Sequence, residues 1–211
     1  MNMLPACLMA LMLAGCAAKP VEPSWRPNAA SALDSFRDAY LKGDSAIAAT
    51  DFARARAEMT STGRADLVAH AELVRCAVKT ASLDVGECDG FTPLALEAGP
   101  AERAYAAYLA GKWHGLDAAL LPEQHRAVAA GTGGMAGVAD PLSRLVAAGA
   151  MLQAGRIAPA DIVTATDTAS AQGWRRPLLA WLGVAAQRAK STGDAAELAR
   201  IERRIALATS R

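Results

Sequence analysis

Residues 28–63, NAASALDSFRDAYLKGDSAIAATDFARARAEMTSTG, contain two amphipathic segments that meet at Gly43-Asp44. In both segments apolar side chains recur every three or four positions, which is the period of an α-helix with one buried face. They are Ala29, Ala32, Leu33, Phe36 and Tyr40 in the first segment, and Ala48, Phe52, Ala55 and Met59 in the second. Asn28 and Asp44 are placed to cap the two helices, and Gly43 and Gly63 to end them. The stretch therefore predicts an antiparallel helix hairpin.

The rest of the chain has the same helical character. Ala and Leu dominate its apolar residues, while β-branched and aromatic residues are sparse, which favours helix over strand. Further helices are predicted at 64–82, 91–96, 100–110, 121–130, 141–154, 159–172, 175–192 and 194–209. The Gly-rich stretch 131–137 indicates a flexible connector and divides the helices into two halves, joined near 131–140. We predict one all-α domain over residues 28–211, with helix hairpins stacked as a solenoid or packed as an irregular bundle.

An apolar run from Leu4 to Leu13 precedes this domain. It is much shorter than the roughly 20 residues that a membrane-spanning helix needs, and it ends in small residues as a secretory signal does. Its last four residues, Leu13-Ala14-Gly15-Cys16, resemble the bacterial lipobox. The resemblance implies a signal peptide over residues 1–15 and a lipid, such as palmitate, on Cys16. The alternative is an apolar N-terminus that ends in Gly-Cys by chance.

Residues 16–27 contain three prolines within eight positions, which favours an extended tether over a helix. Ala17 follows the lipobox cysteine, and this resembles the pattern of lipoproteins that are sorted to the outer membrane. The expected location is the periplasmic face of the bacterial outer membrane. Removal of the signal leaves about 195 residues, enough for one domain with a substantial core.

Four cysteines occur in the chain. Cys7 would leave with the signal peptide and Cys16 would carry lipid, so Cys76 and Cys88 remain as a pair. In an oxidising compartment an even pair predicts a disulfide, worth on the order of 3 kcal/mol for so short a loop. Two buried free thiols are the alternative. Their spacing does not match a zinc site.

The order Gly43-Asp44, Ala48, Phe52, Ala55 resembles the second half of a tetratricopeptide repeat, in which small residues let paired helices approach. Similar turns and a related motif occur at Gly111-Lys112, Gly155-Arg156, Gly193-Asp194 and Trp181-Leu182-Gly183. The turns are separated by gaps of 68, 44 and 38 residues, so only the first gap is a multiple of the 34-residue period. The resemblance implies a curved stack of hairpins whose concave face binds a peptide or protein segment.

Few residue patterns point to chemistry. The 22 Lys and Arg nearly balance the 21 Asp and Glu, and no basic block indicates nucleic acid binding. His70, His114 and His125 are scattered, and the Gly-rich stretch lacks the context of a phosphate loop. Asp51, Glu58 and Glu72 are expected on solvated helix faces. We therefore predict no catalytic residue, no metal and no cofactor.

Trp174-Arg175-Arg176 is the best candidate for partner binding, because an aromatic ring beside two guanidiniums is typical of an interface hot spot. The alternative is that Trp174 packs into its hairpin with the arginines extended around it. The sequence predicts a non-enzymatic adaptor that binds an envelope protein during envelope assembly, pilus biogenesis or secretion. A periplasmic enzyme or a small-ligand-binding lipoprotein is the alternative.

Overall fold

A computed structural model describes residues 23–86 and 88–210, which form nine α-helices and no β-strand. They are α1 (Trp25–Lys42), α2 (Ser45–Thr60), α3 (Ala65–Ala81), α4 (Pro100–Leu109), α5 (Glu123–Ala130), α6 (Pro141–Gln153), α7 (Pro159–Ala171), α8 (Arg175–Thr192) and α9 (Ala195–Thr209). The all-α prediction is therefore confirmed. The predicted signal peptide, the lipidation site and most of the tether lie outside the described residues. Within the described ranges, no helix has the length and hydropathy that a membrane span requires.

The first hairpin forms as predicted, except that α1 begins at Trp25 and not after Asn28. Pro27 is tolerated in the first turn because the first four N–H groups of a helix have no partner within it. The last three tether positions are therefore helical. The Asn28 side chain does not cap the helix, and its amide instead donates to Glu58 of α2 (3.2 Å). Gly43 ends α1 with a φ of 99°, a left-handed conformation that glycine adopts without strain.

The helix α3 lies at the centre of the molecule because two of its sides are buried. Val68 and Val78 pack in one core with α1 and α2. Leu73 and Ala77 pack in a second, larger core with α4, α6, α7 and α8. A helix that contributes to both cores couples the stability of the first hairpin to that of the rest of the domain.

The predicted Cys76–Cys88 disulfide is confirmed, with the two Cα atoms 5.5 Å apart. It joins α3 to the segment that follows it, where the predicted 91–96 helix is reduced to a single 3-10 turn, Thr92–Leu94. The bridge holds the chain around Cys88 against α3, where Gly90 lies next to Glu72 and Arg75.

The helices α6 to α9 lie within one or two residues of the predicted positions. Asp194 caps α9 by accepting the backbone N–H of Glu197 (2.9 Å), as its position before an apolar stripe favours. Asp44 occupies the same position before α2, but its side chain makes no capping hydrogen bond. The prediction that the Asp44 side chain caps α2 is therefore wrong, although the helix begins where expected.

The two helical halves pack together closely. The helix α3 packs along α6, and α8 contacts α1. Trp181 of α8 is fully buried, and its Nε1–H donates to the carbonyl oxygen of Ala81 at the end of α3 (3.2 Å). Met135 is also fully buried and anchors the Gly-rich stretch 131–137 in the larger core, while the other residues of the stretch are exposed. The flexibility of this connector stays a prediction.

Consecutive helices contact one another along much of the chain, as in a stack of hairpins. In a solenoid, however, each repeat contacts only its neighbours. The α1–α8 contact joins elements that are far apart in the chain, which is a feature of a bundle. The resemblance to tetratricopeptide repeats stays a prediction.

Candidate functional site

A groove of about 480 Å³ opens between α1, α2 and α3. Its floor is apolar: Phe36 of α1 and Phe52 of α2 are both buried, with ring centroids 5.2 Å apart. Ala48 and Ala53 of α2 add small side chains to the lining, which leaves room above the rings. We call this surface the α1–α3 groove.

A buried carboxylate lies in one wall of the α1–α3 groove. The Glu72 side chain is 4% exposed, and its Oε1 accepts a hydrogen bond from Arg56 Nε (3.0 Å). Its Oε2 lies 2.7 Å from Arg75 Nη2. This contact is an ion pair without the geometry of a hydrogen bond. The Arg56 and Arg75 side chains remain 48% and 39% exposed. The pairing offsets the cost of burying the Glu72 charge and leaves two guanidiniums open to solvent.

The prediction that Glu72 occupies a solvated helix face is wrong, because neighbouring elements cover that face of α3. Gly90, in the segment held by Cys88, lies directly against the ion pair. A Cβ at this position would overlap both the Glu72 carboxylate and the Arg75 guanidinium, so a larger residue here would displace the ion pair. The disulfide thus helps to position the wall of the groove.

A second polar contact lies at the edge of the groove. The Tyr40 hydroxyl of α1 donates to Asp84 (2.8 Å), and Lys79 Nζ lies 3.3 Å from the same carboxylate. Burial and then the hydrogen bond to Asp84 raise the pKa of Tyr40 above its ordinary value, although Arg176 acts to lower it. Tyr40 therefore remains a protonated donor at neutral pH.

The predicted binding cluster lies beside the α1–α3 groove and is engaged within the chain. Arg176 donates to the Tyr40 carbonyl oxygen and to Ser45 Oγ (2.7 Å each), and its guanidinium lies 4.2 Å from the Tyr40 ring centroid. Trp174 packs against both large cores, and Arg175 lies beside the α1–α2 turn. These contacts join α8 to the first hairpin. A partner-binding role for the three residues stays a prediction.

The groove can hold an anionic group next to an apolar one. Its lining carries three cationic side chains and two carboxylates, and a fourth cation, Arg176, adjoins it. The excess of positive charge attracts anions, while the phenyl rings of the floor favour apolar side chains.

A second cleft, of about 330 Å³, opens between α3, α4 and residues 120–122. Leu73, Val74, Tyr105 and Leu121 make its lining mainly apolar, and His70 lies at its edge. Its chemistry suits an apolar ligand.

An aromatic cluster that the sequence did not predict lies behind the second cleft. His125 is 1% exposed and packs against the rings of Tyr105 and Tyr108, with its Nδ1 3.3 Å from the Tyr108 hydroxyl. Burial lowers the pKa of His125 to about 4, although the charge of Asp140 acts to raise it. His70 and His114 are exposed, unlike His125.

We expect acid to destabilise the protein through His125. Between pH 6.5 and about 4 the unfolded histidine binds a proton and the buried one does not, so the free energy of unfolding falls as the pH falls. The loss at pH 4.5 should be about 2–3 kcal/mol. His125→Phe should remove this part of the pH dependence, measured by urea unfolding at pH 7 and 4.5. The control is His114→Gln, at an exposed position, and an unchanged pH dependence in His125→Phe would contradict the assignment.

Comparison of the chain with protein-family models, curated proteins and solved structures finds no match.

The cationic wall of the groove is a candidate functional feature that the sequence analysis did not predict. Arg75 and Lys79 follow Glu72 at intervals of three and four residues, so all three lie on one face of α3. That spacing was a usable signal. The contribution of Arg56, from another helix, had no local signal.

Proposed function

We propose that this protein is a lipoprotein of the bacterial outer membrane, anchored through Cys16, whose periplasmic domain is a non-enzymatic adaptor in envelope assembly, pilus biogenesis or secretion. The observation that carries the proposal is the α1–α3 groove, which combines an apolar floor with ion-paired but solvent-exposed guanidiniums. Arginine and aromatic side chains contribute much of the binding energy at protein interfaces.

The anchor is supported by the residues of the lipobox, Leu13-Ala14-Gly15-Cys16. The Cys76–Cys88 disulfide supports export, because such bonds persist mainly in oxidising compartments. Several acyl chains, as the lipoprotein resemblance implies, are needed for stable attachment, since one chain holds a membrane only marginally.

A small-ligand-binding lipoprotein is the second candidate, and the apolar cleft beside Tyr105 favours it. Native mass spectrometry of protein purified from its own membrane distinguishes the two. An adaptor should show the mass of the lipidated chain or of its protein complex, with no added small molecule. A small-ligand carrier retains an added mass that Ala101→Trp, at an exposed position of the cleft lining, removes.

The anchored-adaptor proposal is tested with Cys16→Ser in the native bacterium. Palmitate labelling should disappear, and the protein should leave the membrane fraction or fail to mature. Wild-type protein, solubilised with detergent, should carry an envelope protein at a fixed stoichiometry. Unchanged palmitate labelling of the variant would overturn the anchor, and a monomeric chain in every detergent extract would overturn the adaptor.

A further inference from the structure

Two guanidiniums share one carboxylate in the wall of the α1–α3 groove. Arg56 approaches Oε1 of Glu72 and Arg75 approaches Oε2, so the carboxylate fixes both guanidiniums relative to each other. Arg75 is held further by the ring of Phe52, whose centroid lies 4.6 Å from its Cζ. Side chains held in this way lose little conformational freedom when a ligand binds.

The charges of this wall are incomplete. Glu72 supplies one negative charge to two guanidiniums, whereas Lys79 pairs with a separate carboxylate, that of Asp84. A carboxylate from outside would complete the pairing, because guanidinium groups bind carboxylates with well-directed N–H donors. The apolar floor begins immediately beside the wall, at Phe52 and Ala48.

We propose that the α1–α3 groove binds an acidic polypeptide segment. A carboxylate of that segment pairs with Arg56 and Arg75, and a neighbouring apolar side chain packs on Phe52 and Ala48. Glu72 is a positioning residue that holds the two guanidiniums in place. The inference rests on the proposed adaptor function and names the chemistry of its partner.

A polypeptide fits the groove better than a membrane surface. The cations lie along a recess between helices, and the apolar floor lies at the bottom of it, whereas lipid head groups present their charge on a flat surface. A short extended segment can place one acidic and one apolar side chain into the same recess, since residues two positions apart in an extended chain point to the same side.

The probes are fluorescein-labelled synthetic peptides of equal length. The first carries Asp and Glu around one Phe, the second replaces the acids by Gln and Asn, and the third replaces the Phe by Ser. Fluorescence anisotropy with the folded wild-type protein should show binding of the first peptide, weakened roughly tenfold or more in the other two. Raising the salt concentration from about 50 to 500 mM should weaken the binding of the first peptide, because exposed charges are screened.

The decisive variant is Glu72→Gln/Arg56→Gln/Arg75→Gln. It removes all three charges together, since loss of the guanidiniums alone would leave Glu72 buried without a counter-charge. Arg56→Gln alone, at a half-exposed position, is the second variant in case the triple variant does not fold. Both should bind the acidic peptide roughly tenfold or more weakly at unchanged helical circular dichroism. The control is Arg54→Gln, on the same helix, whose partner Asp51 lies outside the groove lining.

Equal binding of all three peptides, or equal affinity of wild type and both groove variants, would overturn the inference. Binding to phosphatidylglycerol vesicles without binding to the acidic peptide would overturn it in favour of a membrane surface. If a partner copurifies in the same yield with the wild type and with the groove variants, that result would support the adaptor function and contradict only the binding of an acidic segment in the groove.

Discussion

Trp181→Ala is expected to lower the free energy of unfolding by about 3–5 kcal/mol. The Trp181 side chain is fully buried in the larger core. Its loss leaves a cavity and removes the hydrogen bond from Nε1 to the Ala81 carbonyl oxygen (3.2 Å). Because this contact joins α8 to the end of α3, the substitution should weaken both helical halves in one cooperative transition.

The measurement is urea unfolding followed by circular dichroism, with the disulfide intact. Trp181→Phe is the matched control, since it keeps most of the apolar volume and loses only the hydrogen-bonded edge, at a cost of about 1–2 kcal/mol. Two separate transitions in Trp181→Ala, one of them at the wild-type midpoint, would show that the halves do not fold as one unit.

Gly149→Ala is expected to have the second large effect. Gly149 lies on α6 where that helix meets α3, and a Cβ at this position would overlap the carbonyl group of Thr80. Backbone atoms cannot rotate away as a side chain can, so the two helices must separate. The expected loss of stability is about 1–3 kcal/mol or more, although alanine favours helix more than glycine does.

The control for Gly149→Ala is Gly183→Ala in α8. Gly183 is exposed, and a Cβ there meets no atom within 4 Å. Alanine should therefore stabilise this helix by about 0.5–1 kcal/mol through its better helix propensity. The two substitutions are chemically identical and should shift the melting temperature in opposite directions. A stabilising effect at position 149 would contradict the close α3–α6 contact.

The positions of the helices could be predicted because their signals are local. Gly155, Gly173 and Gly193 lie in the turns between α6 and α9. The helices α4, α6 and α7 each begin with a proline, at Pro100, Pro141 and Pro159. Helix α8 begins and ends at the predicted residues. Helix α1 begins before the predicted Asn28 cap, because Pro27 lies in its first turn, where proline does not break a helix.

The packing between distant elements could not be predicted in the same way. The residues around Gly149 are mostly small, so the sequence does not indicate that this position, and not one of its neighbours, contacts α3. Met135 sits in a Gly-rich stretch, and its burial depends on a core assembled from helices on both sides of it.

The candidate site was predictable only in part. The Cys76–Cys88 disulfide was predictable from the cysteine count and the expected oxidising compartment, without knowledge of the distance between the two residues. Glu72 looked like any acidic residue on an amphipathic helix, and its burial is decided by α2 and by Gly90. Arg176 belonged to a recognisable cluster, but its contact with α1 joins residues 136 positions apart, for which the sequence has no local signal.

Site-specific photo-cross-linking in the native bacterium tests whether the α1–α3 groove is the binding surface. A benzophenone amino acid is placed at Ala53, an exposed residue of the groove lining, or at Ala196, an exposed residue of α9 outside it. If the groove binds a protein segment, the position 53 derivative yields one discrete envelope adduct, which Arg56→Gln diminishes, and the position 196 derivative does not. No adduct at position 53, or the same adduct at both positions and insensitive to Arg56→Gln, would contradict binding in the groove.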